Sequence, residues 1–170
     1  TIETQMKIDA AHDGTLYSNF TGTGNGRSLC YVFADRSLAW FYNDNNSVAT
    51  PAGVLALGGY QHIRLVKKQG SPATFMIFVD GELLASTTAF QPVFGDSSSL
   101  ALIGHPGWRS DRLLQGRLDE TVVTFGARST SSFTPPSAPY GGGGSGVEPL
   151  QAPRAGAVDL RVAASAPLSA

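Results

Sequence analysis

The sequence predicts an all-β protein: a two-sheet antiparallel sandwich with an extended C-terminal tail. Three observations predict it. Apolar residues alternate or cluster at strand spacing through residues 1–126. Asp80-Gly81 separates two such runs, a strong short-range hairpin signal. Helical periodicity is hard to find anywhere, while twenty glycines and ten prolines supply turns. About nine short strands joined this way imply two packed sheets.

The elements follow in order. Ile2, Met6 and Ile8 share one side of an extended segment, with Glu3, Gln5 and Lys7 on the other. Residues 14–20 form a second strand, and glycines in 21–26 permit a loop with positive φ. Residues 29–34 and 38–42 form a hairpin around Asp35-Arg36-Ser37, followed by a polar turn over 43–47. A short strand is expected at 55–57 and a longer one at 61–67, where Ile63, Leu65 and Lys67 share a face. Residues 74–79 are so apolar that both faces of that strand should be buried. Asp80-Gly81 then makes a type I′ turn into 82–86. Residues 100–104 and 118–125 complete the set. Trp40 and Tyr42 lie within an apolar strand and are assigned to the core.

Composition narrows the function. Charged residues are 15% of the 170, and the net charge is −1. That balance argues against a basic stripe for nucleic acid and against a polybasic membrane anchor. No apolar run of about 18 residues marks a membrane span. The opening residues lack the basic and apolar regions of a signal peptide. The single cysteine, Cys30, cannot form an intrachain disulfide and sits in an apolar run, which predicts a buried, inert thiol.

Domain organisation follows the same signals: a sandwich over 1–126, a Pro-rich closing segment over 127–140, a Gly-rich linker over 141–146, and an extended tail or the start of a further domain over 147–170. The last contains one strand-like patch, Val158-Asp159-Leu160-Arg161-Val162, too short to bury its own core. Residues 141–170 are expected to contact another chain or continue into an assembly.

Residues 60–66 (Tyr-Gln-His-Ile-Arg-Leu-Val) and 75–85, which contain Val79-Asp80-Gly81, resemble the central hairpin of laminin G-like domains of the concanavalin A-like superfamily. Tyr60-Gln61 stands where that family prefers Trp-His. Residues 100–104 and Gly116-Arg117-Leu118-Asp119-Glu120 look like its closing strands, and Thr1-Ile2-Glu3 is similar to an opening one. The run Phe133-Thr134-Pro135-Pro136, thirteen residues after Glu120, resembles the ending of such modules in bacteriophage virion proteins. The resemblance covers residues 1 to about 140. Family members usually carry one more strand before this opening, so a fragment of a longer protein, or an edge completed by a neighbouring chain, is expected.

Candidate chemistry is sparse. Asp119-Glu120 are adjacent in a strand and so expected on opposite faces, which prevents them from flanking one glycosidic bond. His12, His62 and His105 lack metal-ligand spacing; His62 is expected to pack in a sheet and His105 to lie in a loop. Gly142–Gly146 spells a Gly-x-Ser-x-Gly pattern in a linker rather than a strand-turn-helix, and Gly22–Gly26 lacks dinucleotide spacing. No cofactor is expected. Some laminin G-like domains bind calcium, and Asp44, Asp96 and Asp111 are the loop oxygens for it, although solvated loop acids are the plainer reading.

The most ligand-like patch is residues 105–112. Trp108 there suits stacking on a sugar, and Arg109, Asp111 and Arg112 suit bonding hydroxyls or a protein partner. The plainer alternative folds Trp108 back over the sandwich edge. The resemblance implies a non-enzymatic structural or adhesion module of a phage virion, in a tail fibre, tail-associated protein or capsid decoration. Its partners would be other virion proteins and further copies of itself. The alternative is a carbohydrate-binding domain recognising host-surface glycan; a glycan-cleaving enzyme is the third reading.

Overall fold

The computed structural model describes residues 1–18, 28–42, 46–89, 102–104, 110–124 and 126–137. Among them are ten strands: β1 (Ile2–Ile8), β2 (Gly14–Ser18), β3 (Leu29–Val32), β4 (Leu38–Phe41), β5 (Ser47–Ala49), β6 (Tyr60–Lys68), β7 (Ala73–Val79), β8 (Glu82–Ala89), β9 (Leu102–Ile103) and β10 (Gly116–Val123). They form two five-stranded antiparallel sheets, ordered β10-β1-β6-β7-β8 and β5-β4-β3-β2-β9. This is the sandwich that the alternation predicts.

The core lies between the sheets. Ile2, Met6, Ile63, Leu65, Phe75 and Ile77 from the first sheet meet Leu16, Cys30, Val32, Leu38, Trp40 and Val48 from the second. Trp40 is edge-on to Phe75 at 5.2 Å between ring centroids, and Tyr42 stacks on Phe75 at 4.4 Å. The indole Nε1–H of Trp40 donates to Ser28 Oγ at 2.8 Å, which satisfies its one polar atom inside the core. Cys30 is fully buried, and burial pushes its thiol pKa up. β7 is buried on both faces as its composition requires, with Met76 and Phe78 in a second cluster on the outer side.

Asp80 and Gly81 both have positive φ, 50° and 81°, as a type I′ turn demands. The Asp80 carboxylate also accepts from His62 N at 2.8 Å and Gln61 Nε2 at 2.9 Å, locking the hairpin onto the start of β6. Arg36 supplies the positive φ in the β3–β4 turn.

Three expectations need correction. Residues 55–57 are not a strand: Leu57 makes one isolated parallel bridge to Ile8, and Gly53 and Gly58 on either side have left-handed φ. Leu55 is instead a fully buried plug, held by its N–H to Arg36 O at 3.1 Å. No strand is expected directly after the polar turn, yet Ser47–Ala49, starting on that turn's last residue, form β5, because Val48 reaches the core beside Trp40. The Asp119-Glu120 alternation fails, because β10 inserts one extra residue against β1 between Glu3 and Gln5. Glu120 has φ 53° there. The Thr4 hydroxyl spans this bulge to Asp119 O at 3.0 Å and Thr121 Oγ1 at 2.9 Å.

Candidate functional site

The outer face of the first sheet is closed by the chain itself. Strand alternation turns Glu3 outward, and antiparallel register sets it opposite Arg64, which in turn sits opposite Phe78. Arg64 Nη2 donates to Glu3 Oε2 at 3.2 Å, and Arg64 Nε lies 3.1 Å from Oε1. Arg128 reaches the same Oε1 at 3.1 Å, and His62 Nε2 lies 3.5 Å from Oε2. Glu3 and His62 are completely buried.

Burial is completed by residues 126–137, which cross this face as a strap. Thr1 Oγ1 donates to Gly126 O at 2.6 Å and accepts from Arg128 N at 3.1 Å, fixing the near end. At the far end Phe133 N donates to Gly81 O at 2.9 Å, and Leu83 N donates to Ser132 Oγ at 3.2 Å. A Cβ on Gly81 would collide with the Phe133 carbonyl, so only glycine admits this approach. The Phe133 ring covers Val66, Met76 and Phe78 along with the Arg64 guanidinium. One carboxylate against two guanidiniums, sealed from water, is a structural lock. Its acid, Glu3, is held by both arginines.

The second sheet presents a different outer face. Tyr31 sits in a row with small neighbours, Thr15 on one side and Ala39 then Ala49 on the other. Phe33 and Phe41 flank it, each with its ring centroid 6.0 Å from that of Tyr31. All three rings are half-buried. Low relief beside accessible ring faces suits stacking of a flat, partly apolar ligand.

This aromatic stripe runs up to the foot of the loop singled out in the sequence. Ala34 N, one residue beyond Phe33, donates to Asp13 Oδ1 at 2.8 Å, and Arg112 pairs with Asp13 Oδ2. The Ala34 N–H, and then Arg112, hold the Asp13 carboxyl below the usual carboxylate range. Leu114 N donates to Gly104 O at 3.1 Å, pinning the two ends of the 105–113 excursion together. Gly14 makes this seat possible, since a Cβ there would press on Leu114 Cα at 3.0 Å.

Of the predicted contact residues, Asp111 is exposed in a turn at Ser110–Arg112, and Arg112 is engaged with Asp13. Trp108, Arg109 and His105 lie outside the described residues, as do Asp44, Asp96 and the tail 141–170. Among the described residues no group of three His, Cys, Asp or Glu is placed to hold a metal ion. Leu57, Tyr60 and Leu113 are exposed at this same end of the sandwich. Sequence reasoning missed the aromatic stripe and the Glu3 cluster. Parity supplied a signal for both, since Tyr31 and Phe33 share one strand face, as do His62 and Arg64.

Residues 1–132 match the family model for the concanavalin A-like lectin/glucanases superfamily, laminin G type. The chain therefore belongs to this family. Among solved structures it is similar to the carbohydrate-binding module, of type CBM40, of the Ruminococcus gnavus IT-sialidase, bound to α2,3-sialyllactose. That match has a TM-score of 0.55 and 15% identity, and covers 71% of each chain. No curated protein sequence matches it.

Proposed function

We propose that this chain is a non-enzymatic recognition module that binds glycan and serves in adhesion, as a part of a phage virion contacting the host surface. One observation carries the glycan reading. The chain covers the outer face of its first sheet with its own strap, and the second sheet offers Tyr31, Phe33 and Phe41 as half-accessible rings leading to the Asp13–Arg112 pair. Sugar rings stack their C–H faces on aromatics while charged pairs at the rim bond hydroxyls. The family and the sialyllactose-bound neighbour support this class of ligand. The virion setting rests on the Phe133-Thr134-Pro135-Pro136 resemblance.

Catalysis is disfavoured by the acids. Glu3 is locked between two arginines, and Glu120, next to Asp119, stands in the β10 bulge with positive φ. A glycan array with intact protein, repeated with Tyr31→Ala and Trp108→Ala, tests the reading. Binding lost in at least one folded variant is expected. Binding by neither wild type nor variant leaves protein–protein adhesion as the function, and polysaccharide turnover removed by changing Glu120 defeats the non-enzymatic reading. Antibody against the chain should decorate phage particles in electron micrographs.

A further inference from the structure

The strand-like patch at 158–162 has no role in the site above, and the sandwich has a place that fits it. β5 and β8 are the outermost strands on one side of the two sheets. Between them runs an open groove lined by 47–51 and 84–87. Its walls carry small or hydroxylated side chains, including Ala49, Thr50, Ala85 and Ser86, with Val48 and Leu84 packed toward the core. Among the described residues nothing bulky blocks an incoming backbone.

The edge carries none of the usual guards among the described residues. β8 is eight residues long, holds one charge (Glu82) and no proline, and among the described residues no strand pairs with its outer side. Natural edges are normally blunted by lysine, proline or a cover. β5, by contrast, runs into Pro51.

We propose that the Val158-Asp159-Leu160-Arg161-Val162 segment of the same chain adds to β8 as a further strand of the first sheet. Its alternation puts Val158, Leu160 and Val162 toward Val48 and Leu84 in the groove, with Asp159 and Arg161 toward water. The strap delivers the chain to the right place. Phe133 and Ser132 are bonded to Gly81 and Leu83, at the head of β8. From Ser137, residues 138–157 supply a tether rich in Gly, Ala and Pro. Twenty such residues have a mean span of about 25 Å, which matches the ~26 Å length of an eight-residue strand. A tether matched to its span gives a millimolar effective concentration, which favours the same chain over a second copy.

Hydrogen exchange on the full chain tests this. The outward amides of β8 should exchange at least about tenfold more slowly than in Leu160→Pro. Leu160→Ile should keep that protection, and the protection should not vary with protein concentration. Amides of β6 and β7 serve as the internal reference, and excess synthetic peptide spanning 157–163 should restore protection to Leu160→Pro. Fast exchange along β8 in wild type sinks the proposal, as does protection that Leu160→Pro leaves intact. Protection that grows with concentration assigns the strand to a second copy, and the same-chain proposal then fails.

Discussion

The guanidinium of Arg64 lies 3.4 Å from the ring centroid of Phe133, sixty-nine positions later in the chain. The same guanidinium is held from the side by Glu3. This arrangement fastens the strap to the sheet through a desolvated cation–π contact and a buried ion cluster together.

Phe133→Ala removes the ring that seals this cluster. A desolvated cation–π contact is worth about 2 kcal/mol, and the partly buried ring adds apolar area over Phe78 and Met76. Urea unfolding should show a loss of about 2–4 kcal/mol. A loss below about 0.5 kcal/mol would mean that the strap contributes little to the fold.

Glu3→Gln should be worse than an ordinary surface change. It leaves Arg64 and Arg128 facing each other in a site with no counter-charge. Breaking a buried pair in this way costs about 3–5 kcal/mol. Adding Arg128→Gln, which removes one of the two uncompensated cations, should recover part of that loss. Strict additivity of the two changes in chemical denaturation would show that the groups do not act as a cluster.

Gly81→Ala should detach the strap locally. The position has φ 81°, and a Cβ would meet the Phe133 carbonyl. Limited proteolysis should cut residues 126–137 faster than in wild type while the sandwich core remains intact. Equal cutting rates would contradict the close approach.

Tyr17 gives the fold a limit at alkaline pH. Burial raises its phenol from 10.0 to about 12. The folded state therefore holds this proton where the unfolded chain releases it. The contribution is complete below pH ~10 and fades as pH rises through about 12, a loss of about 2–3 kcal/mol at ~1.4 kcal/mol per unit. Tyr17→Phe should flatten the decline in stability over that window. An unchanged slope would place the alkaline transition elsewhere.

Cys30 should resist thiol reagents in the native protein. Its side chain is fully buried and burial disfavours the thiolate. Modification should proceed only at the rate of unfolding, so its rate should rise with denaturant. Rapid labelling of folded protein would contradict the packing of β3.

The two-sheet sandwich, the buried Trp40, Cys30 and β7, and the Asp80-Gly81 hairpin were legible in the sequence, because parity and turn chemistry act over neighbouring residues. Short-range patterns misjudged the rest. Residues 55–57 look like a strand because they are apolar, yet Leu55 is needed as a plug and the flanking glycines turn the chain away. Asp119 and Glu120 look like regular strand, yet β10 bulges at Glu120. Alternation along β1 determined that Glu3 faces away from the core. Only the tertiary structure decided that this face is not solvent: register places Glu3 beside Arg64, and a strap from the far end of the chain brings Arg128 and Phe133 over both. Pairings across such separations depend on the closure of the whole sheet, and no local rule encodes them.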